Sequence, residues 1–266
     1  MRLLLHAGAD INAQGRWGGT VLHETASDLE AVQAMRLLLD SKADINVKDK
    51  HGCTPLHYAC EWMNIVAVRL VLENGASVNE QDCYGRTPFY ALDYGERRKF
   101  RPYGVQVLSY DLKPVITLLT ILGDHGADFN AQDNYGRTLL HVVAKEKIPC
   151  VTELILDYGA NIDTRNQEGK TVLFQCSDYL GSQARLLINK GANVNLADND
   201  GNTLLHRPRS PDPEMVQMLL DYGADVNALN NEGDSPLASL MMKGEYAEEA
   251  ARLLVERGGK DIRGRV

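Results

Sequence analysis

Apolar residues in this chain fall at helical spacing in short runs, and polar punctuation separates the runs. The clearest stretch is Asp49 to Gln81. Leu56 and Ala59 give a short helix two inward-facing positions. Ala67, Val68, Val71 and Leu72 then lie three and four residues apart on one face of a second helix. Thr54 stands where a helix cap belongs, its hydroxyl expected to accept an orphan amide, and Pro55 follows at the first helical position, where it loses no bond. Gly75 ends the second helix in a left-handed conformation that a residue with a Cβ adopts at a cost of about 1 kcal/mol or more. Ala76 to Asp82 then reads as an extended finger. The predicted unit is helix, turn, helix, finger.

That unit recurs. A glycine sits two positions before a Thr or Ser at Gly18, Gly52, Gly85, Gly136, Gly169, Gly201 and Gly233, with spacings of 34, 33, 51, 33, 32 and 32 residues. The capping position is filled by Thr20, Thr54, Thr87, Thr138, Thr171, Thr203 and Ser235. The terminating glycine returns as Gly8, Gly126, Gly159, Gly191, Gly223 and Gly258, with Lys42 the one departure. A helix pair of this size cannot bury its apolar face alone, so a near-constant period of this length predicts units that stack. The phrase Thr54-Pro55-Leu56-His57 with Ala59, followed by Gly75, Ala76, Val78 and Asn79, resembles the ankyrin repeat, and the resemblance spans almost the whole chain. It implies an all-α solenoid of stacked helix-turn-helix units with β-hairpin fingers.

On this reading a half repeat at 1–14 precedes repeats at 15–48, 49–81, 82–132, 133–165, 166–197, 198–229 and 230–262. Met1 opens within the second half of a repeat, so the array is expected to be a piece of a longer one. At the other end Glu248, Glu249, Arg252 and Glu256 make the last helix polar, as a terminal cap should be. Pro208 is expected to shorten the first helix of its repeat. The third repeat is longer than the rest by about 18 residues. The excess lies at about 95–113 and carries Arg97, Arg98, Lys99, Arg101 and Lys113, with Phe100, Tyr103 and Tyr110 between and beyond them. Pro114 is expected to start the helix that follows.

Composition narrows the function classes. Charged residues make up 24% and apolar ones 44%, as in a soluble globular chain, and the formal charge of −8 argues against nonspecific binding to nucleic acid or membranes. Five cysteines with no paired spacing point to reduced thiols and a cytoplasmic or nuclear setting. The apolar start at Met1 to Leu5 stops too soon for a signal peptide, because Asp10 interrupts it. No run approaches the ~20 apolar residues of a membrane span.

Candidate chemistry is sparse. His23, His57, His141 and His206 share one place in the repeated phrase, which the family resemblance assigns to a structural bracket in the turn. Catalysis needs groups to converge, and a repeat disperses them. Cys53, His57, Cys60 and Cys83 match no usual zinc spacing. No phosphate loop, nucleophile elbow or metalloprotease helix is present. No catalytic residue, cofactor, metal or small-molecule substrate is assigned. The finger asparagines Asn12, Asn46, Asn79, Asn130, Asn195 and Asn227 are expected to bond locally in their turns.

The resemblance also implies which positions face outward on the concave side. Just before the turn glycine stand Trp17, His51, Tyr84, Tyr135, Glu168, Asp200 and Glu232; at the end of the first helix stand Trp62, Tyr94 and Tyr179. Aromatics bury much area at low entropic cost and are common at binding hot spots. The alternative is that each packs on a neighbouring finger. The expected function is noncatalytic binding of another protein as a scaffold or adaptor, with an aromatic-to-acidic surface suited to an apolar anchor followed by basic residues. Its rivals are the recognition module of a larger enzyme or ubiquitin-ligase component and nucleic-acid binding through the basic insertion.

Overall fold

The structure is a computed structural model that describes residues 7–92, 112–146, 148–176, 182–206, 213–241 and 248–264. Every regular element among them is helical, and no strand occurs. The chain divides into two compact units, Met1–Asn134 with Glu153–Ala160, and Tyr135–Thr152 with Asn161–Val266.

In the first unit the helices are α1 (Val21–Ser27), α2 (Val32–Asp40), α3 (Pro55–Glu61), α4 (Ile65–Glu73) and α5 (Lys113–Asp124), with a 3-10 turn at Pro88–Leu92. In the second they are α6 (Leu139–Val143), α8 (Val172–Cys176), α9 (Ser182–Asn189), α10 (Pro213–Asp221), α11 (Pro236–Met241) and α12 (Glu248–Glu256). Helix α7 (Pro149–Asp157) starts in the second unit and ends in the first, and 3-10 turns lie at Ala144–Glu146 and Leu204–His206. Leu56, Ala59, Ala67, Val68 and Val71 are fully buried, as their spacing predicts. Each fully buried leucine contributes about 1.5–3 kcal/mol. The Phe129 ring lies 5.4 Å from those of Phe89 and Tyr158, extending the first unit's core.

Helices α1, α3 and α6 begin with a reciprocal cap in which histidine takes the place usually held by glutamate. The Thr54 N–H donates to His57 Nδ1 at 3.1 Å, and the Thr54 hydroxyl, expected to serve an amide, lies 2.9 Å from the same nitrogen. Because Nδ1 accepts, the imidazole proton sits on Nε2, which donates to the Arg86 carbonyl at 3.1 Å. His23, His141 and His206 repeat the arrangement, reaching the carbonyls of Cys53, Lys170 and Asp234. The bracket therefore joins consecutive repeats as well as closing its own turn. Burial holds His23 and His206 below the ordinary histidine pKa. The fifth and seventh repeats carry Phe174 and Ala238 at the histidine position, and the third carries Tyr90. Its hydroxyl reaches the Ala131 carbonyl at 3.0 Å, and the buried Thr87 Oγ1 has no hydrogen-bond partner.

Two classes of glycine punctuate the repeats for different reasons. Gly52 has φ +76°, and a Cβ there would meet the Cys83 nitrogen at 3.0 Å and Asp82 backbone atoms at 3.1 Å. Gly75 has φ +92°, but an added Cβ would meet nothing within 4 Å. Only backbone strain excludes other residues from the second class. Lys42 can thus occupy it at φ 67°.

The fingers are not regular hairpins. Within a finger a bond such as Asp49 N–H to the Cys53 carbonyl at 2.9 Å closes the turn. Between neighbours there is one more, such as Lys50 N–H to the Trp17 carbonyl at 3.0 Å, which is too little for a ladder. Nor do the finger asparagines mainly bond locally. Asn79 Oδ1 accepts the Asp128 N–H at 2.8 Å while its Nδ2 donates to the Gly126 carbonyl at 3.0 Å, both in the next repeat. Asn195 and Asn227 do the same in the second unit. An amide supplies both the acceptor and the donor that this clasp needs, and a carboxylate could supply only one. The local bond belongs to the residue two places earlier, as where Asp44 Oδ1 accepts the Asn46 N–H at 3.0 Å.

Helix α5 opens at Lys113 with Pro114 in its first turn. The rest of the insertion, with Arg97, Arg98, Lys99, Arg101, Phe100, Tyr103 and Tyr110, lies outside the described residues. A 3-10 turn lies at Leu204–His206, and Pro208, expected to shorten this helix, lies outside the described residues. On α12, Ala250 and Leu254 are buried and Glu248, Glu249, Arg252 and Glu256 are exposed.

Candidate functional site

The residues before the turn glycines form a row of finger tips within each unit. In the first unit the Trp17 carbonyl accepts the Lys50 N–H, the His51 carbonyl the Cys83 N–H at 2.8 Å, and the Tyr84 carbonyl the Asn134 N–H at 2.9 Å. In the second, the carbonyls of Tyr135, Glu168 and Asp200 accept from Gln167, Asn199 and Asn231 in the same way. These rungs hold Trp17, His51 and Tyr84 in register, and likewise Tyr135, Glu168, Asp200 and Glu232. All seven side chains are exposed, Trp17 at 64%, Tyr84 at 46% and Tyr135 at 53%.

What fixes five of the tips is a buried or half-buried Asp or Asn three places before the glycine. Asp82 Oδ1 accepts the N–H groups of Tyr84 at 2.8 Å and Arg86 at 3.0 Å. Asp49 does this for His51 and Cys53, Asn166 for Glu168 and Lys170, Asp198 for Asp200 and Asn202, and Asn230 for Glu232 and Asp234. Sequence reading missed these clamps, although Asp or Asn at Asp49, Asp82, Asp133, Asn166, Asp198 and Asn230 keeps the same period as the glycines. The first finger has Gly15 instead, whose N–H bonds the Gly19 carbonyl at 2.9 Å. Asp49 also accepts from the Tyr58 hydroxyl at 3.0 Å, and burial with that nearby carboxylate raises the Tyr58 pKa above the usual tyrosine range.

Cations accompany the aromatic tips. The Arg16 guanidinium lies 5.4 Å from the Trp17 ring centroid, Arg86 lies 4.5 Å from Tyr84, and Arg137 lies 5.2 Å from Tyr135. Arg86 is also paired with Asp82, its Nε and Nη2 donating to Oδ2 at 3.0 and 2.8 Å in a pair almost wholly buried. Glu168 is held by Lys170, with Nζ and Oε2 2.6 Å apart. The acidic reading of the second row therefore rests on Asp200 and Glu232.

Of the end-of-helix set, Trp62 is half-buried at the C-cap of α3, its N–H bonded to the Tyr58 carbonyl at 3.0 Å. Tyr94 and Tyr179 lie outside the described residues. Among the described residues no group of three or more His, Cys, Asp or Glu could hold a metal ion, and no helix is long and apolar enough to cross a membrane. Cys53, Cys60 and Cys176 are buried, with the Cys176 thiol pushed up to about 12 by burial; Cys83 and Cys150 are exposed.

The family described as ankyrin repeats (3 copies) matches residues 1–82, 107–198, 146–230 and 180–265. Among solved structures, the chain is similar to the ankyrin repeat domain of Bcl-3, described as a unique member of the IkappaB protein family. The identity is 26% and the TM-score 0.70, covering 90% of this chain and 99% of that one. No curated protein matches the chain.

Proposed function

The chain belongs to the ankyrin-repeat family, a family of protein-interaction modules, and on that premise we propose that it binds a partner protein through its finger tips without catalysing a reaction on it. The observation that carries this reading is a row of exposed side chains on turns whose backbones are already bonded. Display of that kind lowers the ordering cost of association, because the tip backbones are fixed before the partner arrives. The aromatic tips Trp17 and Tyr84 would supply anchors, and Asp200 and Glu232 would attract basic residues. The role is that of a scaffold or adaptor, alone or as the recognition part of a larger protein. The proposal extends to a cytosolic or nuclear setting, which the five free cysteines support.

The test is to capture the partner from the native source, identify it by mass spectrometry, and measure its affinity for two variants. Trp17→Ala with Tyr84→Ala should weaken binding by about 2 kcal/mol or more and leave the thermal midpoint nearly unchanged. Trp62→Ala should do the reverse, since its side chain is already half-buried at the end of α3. Full affinity in the tip variant would overturn the reading.

A further inference from the structure

We propose that the tip row of the first unit takes an acidic segment of a partner protein carrying an aromatic or aliphatic anchor, a specification that rests on the tip-binding function above. The charges presented along that row decide the sign. Arg16 is exposed beside Trp17, and Lys50 is exposed on the next rung, its backbone N–H bonded to the Trp17 carbonyl. Among the described residues neither side chain is ion-paired. The finger carboxylates nearby are spent elsewhere, and Glu24 on α1 stays exposed, acting on His23 and Tyr58. Asp82 is neutralised by Arg86, and Asp49 is buried and accepts from two backbone N–H groups and the Tyr58 hydroxyl. Glu80 is paired with Lys48 at 2.8 Å. Asp10 and Asp44 bond their own turns further back along the fingers.

The exposed face of this row is thus aromatic and cationic: Trp17, His51 and Tyr84 with Arg16 and Lys50 between. The equivalent places in the second unit carry the opposite sign, with Asp200 and Glu232 preceded by the neutral Asn199 and Asn231. The tip residues alone suggest an apolar anchor followed by basic residues, and the residues before the tips add the cations Arg16 and Lys50 to the first row. With them included, a basic segment is repelled from the first row and an acidic one from the second, and this mutual exclusion confers specificity. An acidic segment meets two cations that gain by pairing, and its apolar side chain meets the exposed faces of Trp17 and Tyr84.

The probe is a random copolymer of glutamate and tyrosine, with a lysine–tyrosine copolymer for comparison, titrated against the full chain at low and moderate salt. Binding is read by tryptophan fluorescence and checked by calorimetry. The acidic copolymer should bind, and Arg16→Gln with Lys50→Gln should weaken it at least about fivefold at low salt and less at moderate salt. The same pair should leave the basic copolymer unaffected, while Asp200→Asn with Glu232→Gln should weaken only that one. If Trp17→Ala lowers affinity for the acidic copolymer but the Arg16/Lys50 pair does not, the tips bind and the acidic assignment is wrong. If neither change has an effect in a folded chain, or the acidic copolymer does not bind, the assignment falls. If Trp17→Ala and Tyr84→Ala are also silent towards the captured partner, the tip-binding function falls with it.

Discussion

Replacing Thr87 with valine should stabilise the protein, although the same change one repeat earlier should harm it. Thr87 is 1% exposed, and its hydroxyl has no partner because Tyr90 occupies the histidine position and sends its own hydroxyl to the Ala131 carbonyl. A buried polar group without a partner costs about 1–3 kcal/mol. Valine keeps the branched shape and replaces that hydroxyl with a methyl, so a gain of about 1 kcal/mol is expected. For a chain of this size that corresponds to roughly 2–4 °C in the midpoint. Thr54 is equally buried, but its hydroxyl contacts His57 Nδ1 at 2.9 Å. Thr54→Val should cost about 1–2 kcal/mol, since the ring loses one of its contacts while its bond to the Arg86 carbonyl must still be held. Both variants can be followed by urea unfolding and calorimetry. Equal destabilisation by the two substitutions would show that the Thr87 hydroxyl is satisfied in solution and would refute the argument.

Two further outcomes follow from the punctuation and the brackets. Gly52→Ala should cost more than about 3 kcal/mol, because strain at positive φ adds to a clash with the next finger, whereas Gly75→Ala should cost about 1 kcal/mol; similar losses in urea would contradict the split. Stability should also fall on acidification: His23 and His206 have folded pKa values held below 6.5 by burial, so the unfolded chain binds more protons just under that pH. Their contribution is complete above about pH 6.5, declines as pH drops through it, and levels off once the folded imidazoles also protonate. Urea midpoints at a series of pH values, for the protein and for His23→Gln with His206→Gln, check this, and an unchanged slope in the variant would count against it.

The repeat was legible because its signals are local. Thr54-Pro55 starts the first helix, Gly75 stops the second, and the intervening apolar spacing selects the buried faces, so short-range rules suffice. The row of tips was legible for the same reason, since one position before each turn glycine must project. What the sequence hid were bonds between repeats. Asn79 looks like an ordinary turn residue until the neighbouring finger supplies an N–H and a carbonyl at the right separation. Trp62 looked like a displayed aromatic because it follows α3, yet the helix end turns it half inward. The tip positions alone do not show that Arg16 and Lys50 lie on adjacent rungs, because only the register of the fingers brings them there.

The clamps suggest how such a surface can vary without losing its shape, and one set of substitutions tests this. Each clamp bonds backbone N–H groups, so it is indifferent to the tip side chain and needs only an acceptor oxygen. Asparagine serves at Asn166 and Asn230 as aspartate does at Asp198. Asp198→Asn should therefore change stability by less than about 0.5 kcal/mol. Asp82 differs because its second oxygen holds Arg86, which is itself almost wholly buried. Asp82→Asn keeps the two backbone bonds but leaves a buried guanidinium without its counter-charge, a change that costs about 3–5 kcal/mol. The fifth finger indicates the remedy, since Asn166 is followed at the same spacing by Lys170, whose flexible stem carries its charge out to Glu168. Adding Arg86→Lys to Asp82→Asn should accordingly recover about half of the loss, by letting the cation reach water. A double variant no more stable than Asp82→Asn alone would mean that the carboxylate is required for the turn itself, and the separation of display from recognition would fail at this finger.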